Sequence, residues 1–396
     1  MKILLALSLI IVFYTFAGYG ILLYFIIRIK RVFKGSKSVI AENMDGLPSC
    51  TLVVAAYNEE AFIKEKIANS LLLNYPADKL SILFITDGSS DNTPDIITQF
   101  PQIKLLHQPQ RAGKIAAIHR AMEYVNTDAV VFTDANTFLN KDALIKICRH
   151  YEDKTVGAVA GEKRVHFDEN ADASAAGEGF YWKYESALKK WDSELYSVVG
   201  AAGELFSVRR SLYEPVAADT VLDDFMISML IAKQGYRIVY EPEAYATETA
   251  SENVSEELKR KIRIAAGGIQ SILRLKSLFN PFPYPVLSFQ YISHRVLRWT
   301  VTPFLLILSF VLNIALALEP GATGYQLLLA AQVLFYILAL LGFVMEKRQL
   351  RIKILFIPYY FCVMNYAVLA GIIRYFTTKQ SAVWEKSQRK ATTVQT

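Results

Sequence analysis

"VVFTDANTFLN" (Val130–Asn140) is a run of apolar, strand-forming residues that closes on a bare carboxylate, Asp134, with an amide, Asn136, two places on. Taken alone, it is a strand handing over to a turn, because Asp and Asn are common where a strand ends. It is equally a place where a cation and a phosphate can meet. The neighbouring sequence has to decide.

Working outward, residues 38–270 alternate between strand-like and helix-like patterns. "TLVVAA", "LSILFIT" and "IKLLH" are short apolar strands upstream of "AVVFT". Between them "EEAFIKEKIANSLLL" and "KIAAIHRAMEYV" carry apolar residues at helical spacing, and Pro94 opens a short helix after the capping candidates Asn92 and Thr93. Such alternation predicts an α/β domain with a mostly parallel, helix-covered sheet. In that architecture ligands sit beyond the carboxyl ends of the strands.

Each strand exit carries polar chemistry. The first leads to Tyr57, Asn58 and Glu59, and the second to Asp87, Gly88 and Ser89. The third leads to Arg111, Gly113 and Lys114, and the fourth to Asp134 and Asn136. Singly, each is an ordinary turn. Together they offer what a nucleoside diphosphate needs. Asp87 can accept hydrogen bonds from a base or ribose, and Lys114 can neutralise phosphate. Asp134 is a hard oxygen ligand for Mg²⁺ or Mn²⁺, with Asn136 as a weaker, neutral second ligand. No Walker loop and no G-x-G-x-x-G is present, which argues against an ATPase or a dinucleotide enzyme.

Further on, Asp223 and Asp224 stand at the start of a helical pattern that stops at Gly235. One reading is helix capping. The other is a general base, since a carboxylate held beside another acid has its pKa raised.

The 396 residues leave room beyond one catalytic domain, and 53% of them are hydrophobic, concentrated at the two ends. Ile3 to Ile27 is long enough to cross a bilayer, with Lys2 before it and Arg28, Lys30, Arg31, Lys34 and Lys37 after it. The positive-inside rule places the following domain in the cytoplasm. Three more apolar stretches lie near Trp299–Leu318, Gln326–Met345 and Ile354–Phe376, the last containing Pro358, which permits a broken or re-entrant segment. The expected organisation is an anchor at 1–37, the α/β domain at 38–270, an interfacial segment at 271–298, membrane helices at 299–380 and a polar tail at 381–396. The charge of +6 comes largely from clusters beside the apolar stretches, so it reads as attraction to anionic lipid and not to nucleic acid. The three cysteines form neither a metal pattern nor a disulfide framework.

These motifs, in this order, resemble the family 2 glycosyltransferases of the Rossmann-like GT-A fold, the group containing cellulose, hyaluronan and poly-N-acetylglucosamine synthases. The resemblance runs from about Ser49 to Gln270. "VVAAYNEE" resembles the opening nucleotide-binding loop, "ITDGSSDNT" the uracil-side motif and "RAGKIAAI" the lysine-bearing phosphate loop. "TDAN" stands in the place of the Asp-x-Asp metal motif and "LDDF" in that of the acid pair whose second member is the base. It implies a UDP-sugar donor, a divalent cation (Mg²⁺ or Mn²⁺), inversion and a β linkage. Ala56, Tyr57, Glu59, Asp87, Lys114, Asp134 and Arg263 would then bind the nucleotide sugar. Asp134 and Asn136 would hold the metal, Asp224 with its neighbour Asp223 would be catalytic, and Gly203, Glu204 and Arg260 would face the acceptor. Two departures stand out: Asn136 replaces the second metal carboxylate, and "RKIRI" has Arg260 where processive members have Gln and Ile264 where they have Trp.

The reading therefore stays open between a polysaccharide synthase, with an oligomer or accessory subunit completing a channel, and a non-processive enzyme acting on a lipid or membrane-bound oligosaccharide. A non-catalytic nucleotide-sugar-binding subunit is a third possibility. His119, His150 and His166 share no metal spacing. Phe180, Tyr184, Ala187, Leu188, Trp191 and Leu195 form a helical stripe suited to packing, although Trp182 or Trp191 could line an acceptor channel.

Overall fold

The computed structural model describes residues 1–34, 46–166, 174–249, 254–348 and 352–378. Lys37, Lys379, the tail from residue 381 and the side chains of His166, Phe180 and Trp182 lie outside the described residues. Two compact units emerge. Within the described residues, one draws on Arg31–His166 and Lys189–Glu256, the other on Met1–Lys30, residues 174–188 and Glu257–Thr378.

The chain opens with helices α1 (Lys2–Phe13) and α2 (Tyr19–Lys34), joined through a wider π-type turn at Tyr14–Gly18. The first unit then builds an eight-stranded sheet. Its elements are β1 (Cys50–Ala56), α3 (Glu60–Leu71), β2 (Leu80–Asp87), α4 (Thr93–Thr98), β3 (Lys104–Gln108), α5 (Lys114–Glu123) and β4 (Ala129–Asp134). β5 (Thr137–Leu139), α6 (Ala143–Cys148), β6 (Val156–His166), β7 (Leu205–Arg209), α8 (Asp223–Lys233) and β8 (Arg237–Thr249) follow, and the long α7 (Ser174–Leu195), between β6 and β7 in the chain, belongs to the other unit up to Leu188.

The strand order is β3-β2-β1-β4-β7-β6-β8-β5. β1 to β4 are parallel, as the alternation of patterns predicts. The other half of the sheet is mixed: β7 runs antiparallel to β4 and β6, and β5 antiparallel to β8. Two connections cause this. Only Ala135 and Asn136 separate β4 from β5, too few for a parallel crossover. β7 starts at the edge where β4 ends, Leu205 opposite Thr133, so it must run back along β4. The segment before β7 is thereby delivered to the strand exits.

β1 is buried along its whole length, as expected of a central strand covered on both faces. Leu52, Val54 and Ala56 share one core cluster with Ile63 and Ile67 of α3, Ile96 and Ile97 of α4, and Leu144 and Cys148 of α6. The period of two sends Val53 and Ala55 to the opposite face.

The other unit contains α9 (Val254–Arg274), α10 (Pro285–Tyr291), α11 (Leu297–Trp299), α12 (Val301–Ala317), α13 (Thr323–Lys347) and α14 (Lys353–Thr377). Among the described residues, three helical stretches are long and apolar enough to cross a membrane: Lys2–Phe33, Thr323–Lys347 and Ile354–Thr377. The expected span near Trp299–Leu318 is part of a pair, Pro285–Trp299 and Val301–Ala317, bent by 55°. α14 runs unbroken through Pro358, where the sequence permitted a break. Polar contacts pin this apolar bundle internally: Glu185 is buried against His294, Arg295 and Arg298 at 3.2, 3.0 and 3.0 Å, and the Tyr14 hydroxyl meets Ser293 Oγ at 2.8 Å.

In the sheet unit, the segment before β7 is fastened to α8. Ala201 N–H donates to Ser228 Oγ at 2.9 Å, and Gly200 has a φ of +82° with the Phe225 ring where a Cβ would stand. Gly200→Ala combines left-handed strain with overpacking and is expected to cost about 2–5 kcal/mol. Gly235→Ala, at φ +94° with nothing within 4 Å, carries the strain alone and is expected to cost about 1–2 kcal/mol. Thermal melting of the two variants in detergent checks the difference, which vanishes if the Phe225 contact does not hold the segment.

Candidate active site

Register sets the level of the site. Ala55 lies opposite Asp134, Ala56 opposite Thr86, and Asp87 opposite Gln108, so the exits of all four parallel strands meet along one edge. Asp87 then links two of the loops. Its Oδ2 accepts hydrogen bonds from the amides of Ala112 (2.9 Å) and Gly113 (2.6 Å), fixing the loop that leads into α5. Its Oδ1 is buried, makes no hydrogen bond among the described residues and lies 3.8 Å from Arg120. The Arg111 guanidinium sits 3.8 Å over the Tyr57 ring, a cation–π contact. Ala56, Tyr57, Asp87, Arg111, Gly113 and Lys114 line one cavity.

Lys114 is the first residue of α5, and its ammonium reaches 2.9 Å from Asp134 Oδ1 and 3.3 Å from Asp223 Oδ2. All three side chains are mostly buried. Burial alone would push the lysine's pKa down. The charges of Asp134, Asp223 and Asp224 outweigh it and hold the ammonium well above the ordinary lysine value.

Asp223 and Asp224 begin α8, but the capping position belongs to Leu222, and no side chain caps the helix. Capping therefore does not account for the pair. Burial first, and then the neighbouring Asp223 charge, push Asp224 up to about 7, with Lys114 acting the other way. A carboxylate poised near neutrality suits a general base.

Gly203 stands against this centre: a Cβ there would lie 3.4 Å from Asp224 Oδ2 and 3.7 Å from Lys114 Nζ. Glu204, beside it, is paired with Lys163 of β6, which also meets Glu248 of β8. Glu59 is buried at the capping position of α3, donates its N–H to Thr93 Oγ1 at 2.9 Å, and is not among the residues lining the cavity. Arg260 and Arg263 belong to the helical unit. There Arg260 forms a two-pronged ion pair with Glu257 at 3.0 and 2.9 Å, and Arg263 is half-buried one turn on. Asn136 is half-buried in the turn after β4. His150 pairs with Glu241, and His119 packs edge-on to Tyr213, so neither stands in a metal-type cluster.

Among the described residues no group of three or more His, Cys, Asp or Glu side chains forms a metal cage. Asp134 offers a hard oxygen ligand, and the buried Asp223 Oδ2, ion-paired with Lys114, makes no hydrogen bond among the described residues. This donor set fits Mg²⁺ or Mn²⁺ completing its shell with water and diphosphate oxygens, not a site that holds metal through protein ligands alone.

Sequence patterning did not single out Lys66 or Lys163. Lys66 is fully buried on α3, hydrogen-bonded to Thr133 Oγ1 (3.1 Å) and the Thr137 carbonyl (2.6 Å). Burial lowers its pKa to about 7, with Asp134 opposing the shift. A lysine inside the buried stripe Phe62, Ile63, Ile67 and Ser70 was the available signal.

Residues 51–216 match the family described as Glycosyl transferase family 2. Poly-beta-1,6-N-acetyl-D-glucosamine synthases of Staphylococcus aureus are 28% identical over 265 residues, 63% of this chain and 62% of theirs. This chain thus spans about 62% of the length of those synthases. A protein described as a probable glycosyltransferase of Bacillus subtilis is 25% identical over 379 residues, 88% of each chain. Among solved structures, a mannosyltransferase from Pyrobaculum calidifontis, in complex with GDP-Man and Mn²⁺, superposes with a TM-score of 0.72 at 24% identity, covering 94% of this chain and 99% of that one. Residues 51–216 are thus similar to family 2 glycosyltransferase domains, and the chain shares the GT-A fold.

The site's electrostatics have a direct consequence. Because burial and the Asp223 charge raise Asp224 to about 7, its carboxylate is expected to ionise as pH rises from 6 to 8. Infrared difference spectra across that range are expected to show one carboxylate appearing in the wild type and not in Asp224→Asn. A wild type without such a band would mean that burial and Asp223 do not raise Asp224.

Proposed function

We propose that the protein is a membrane-embedded inverting glycosyltransferase that moves a sugar from a UDP-sugar to a growing polysaccharide at the cytoplasmic face, forming a β linkage. The observation that carries this reading is the Lys114 ammonium bound to Asp134 and Asp223, with Asp224 raised to about 7 beside it. A basic group for a diphosphate and a base for a hydroxyl thus stand side by side at the strand exits. The likeness to the synthases and the apolar helices supports the acceptor class and the membrane setting.

In this mechanism the base of the donor enters the cavity lined by Tyr57 and Arg111, where Asp87 Oδ1 is available as an acceptor. The acceptor hydroxyl attacks the anomeric carbon and Asp224 takes its proton, while the bond from that carbon to the diphosphate oxygen breaks with its electron pair going to UDP. Lys114 offsets the charge that develops on the leaving diphosphate. A divalent cation held by Asp134, with Asn136 as a neutral oxygen ligand, would supply further charge neutralisation there. Glu204 and Gly203 face the acceptor, and Arg263 is assigned to the donor by resemblance.

A non-processive variant of the same chemistry, on a lipid or membrane-bound oligosaccharide, is favoured by one observation. Ile264 stands where processive enzymes place a stacking Trp, and Arg260 is engaged by Glu257. Product length separates the two.

The test is nucleotide release by membranes containing the full chain, offered a panel of UDP- and GDP-sugars with Mn²⁺ or Mg²⁺. Release is expected with one UDP-sugar, to be abolished by EDTA, and to fall by about 10²–10⁴-fold in Asp224→Asn. With Asp224 acting as base, kcat/KM is expected to be lost as pH falls through about 7, where its carboxylate protonates. Release undiminished in Asp224→Asn would remove that residue as the base. A chain that binds the nucleotide sugar and never turns over would be a binding subunit.

A further inference from the structure

Lys66 has no evident reason to be a lysine if its task is packing. It is 0% exposed in the core-facing stripe of α3, where an apolar residue would fill the space without a desolvation cost. Its ammonium points at the site's floor. It donates to the Thr137 carbonyl and to Thr133 Oγ1, the two residues that flank the Asp134–Asn136 turn. The Thr133 hydroxyl in turn donates to the Glu204 carbonyl at 2.9 Å, and the Thr137 hydroxyl to the Asp134 carbonyl at 3.0 Å. One side chain therefore ties the turn that carries Asp134 to Glu204, the residue just before β7.

We propose that Lys66 is a positioning residue for sugar transfer, fixing the Asp134 turn and the Gly203–Glu204 segment in the mutual placement that the donor diphosphate and the acceptor require. This inference rests on the glycosyltransferase reading above. General anchoring of β5 is already provided by Asn69, whose side-chain amide both donates to the Leu139 carbonyl (2.8 Å) and accepts the Leu139 N–H (2.9 Å). What Lys66 adds lies at the other end of β5, beside Asp134. A charged and a neutral lysine both donate hydrogen bonds, so the role does not depend on its protonation state.

Removing the ammonium leaves the Thr137 carbonyl buried without this donor, and the turn is free to shift. The side chain touches neither donor nor acceptor, so its loss acts through Asp134 and Glu204. Residues that orient a metal ligand from behind typically cost 10–100-fold in metal affinity or activity when removed.

The experiment uses the purified full chain in detergent and compares wild type, Lys66→Met, Lys66→Gln and Asn69→Ala. It reads melting temperature, nucleotide-release kinetics, and Mn²⁺ binding with UDP from the electron paramagnetic resonance signal of free Mn²⁺. Lys66→Met is expected to lose about 10–100-fold in kcat and a similar factor in Mn²⁺ affinity, with donor KM nearly unchanged. Lys66→Gln, which keeps an N–H donor, is expected to recover part of both. Asn69→Ala is expected to melt earlier and retain its kcat.

Wild-type kcat and Mn²⁺ affinity in Lys66→Met, or tighter Mn²⁺ binding in both neutral variants, would overturn the positioning role. An equal kcat loss in Asn69→Ala would reduce Lys66 to general stability and overturn it as well. A wild type that neither releases nucleotide nor binds Mn²⁺ with UDP would overturn the glycosyltransferase reading itself. Failure of the Lys66 variants beside an active wild type touches this inference alone.

Discussion

The contact of the Lys114 ammonium with Asp134 and Asp223 is what allows three carboxylates to stand together at one sheet edge. Two like charges about 4 Å apart repel by about 4 kcal/mol at an effective dielectric of about 20, so an acid cluster without a central cation would spread or protonate. With the lysine present, most of the strain collects on Asp224, raised to about 7. The same arrangement suits chemistry in which an incoming diphosphate supplies negative charge that Lys114 can also serve.

That centre depends on backbone placement more than on any local sequence. Parallel pairing puts Ala55, Thr86, Asp87 and Asp134 at one level. The antiparallel return of β7 brings Gly203 and Glu204 to the same edge, and the Gly200–Phe225 packing keeps that segment against the helix bearing Asp224. Asp87 holds the loop of Lys114 by two amide hydrogen bonds. Each acid or base is thus fixed by a contact made outside the cluster.

Much of this was legible in the residues. Apolar runs separated by helical spacing announced β1 to β4, and the polar residues at their exits announced the edge, because local propensity and tertiary role agree there. The mixed half of the sheet was not legible, since strand direction beyond β4 is set by where connections start, which no periodicity records. The 55° bend between Pro285–Trp299 and Val301–Ala317 was hidden for a similar reason: hydropathy reports length and not direction. Asp223 and Asp224 were visible as a pair but ambiguous between a cap and a base, and only the placement of Leu222 at the cap separated the two. Lys66 and Lys163 were overlooked because a lysine within a helix or strand ordinarily reads as solvated surface. Their partners, Thr133, Thr137, Glu204 and Glu248, are distant in sequence.

The most direct measurement is calorimetric titration of UDP into the full chain in detergent with Mn²⁺ present, comparing wild type with Lys114→Met. If the ammonium that organises the acid cluster is also the diphosphate's partner, wild type binds UDP and the variant binds it more weakly by about tenfold or more, the loss of a charge-assisted contact. Equal affinity in the two proteins would contradict this, leaving Lys114 as an internal counter-ion and placing the diphosphate elsewhere.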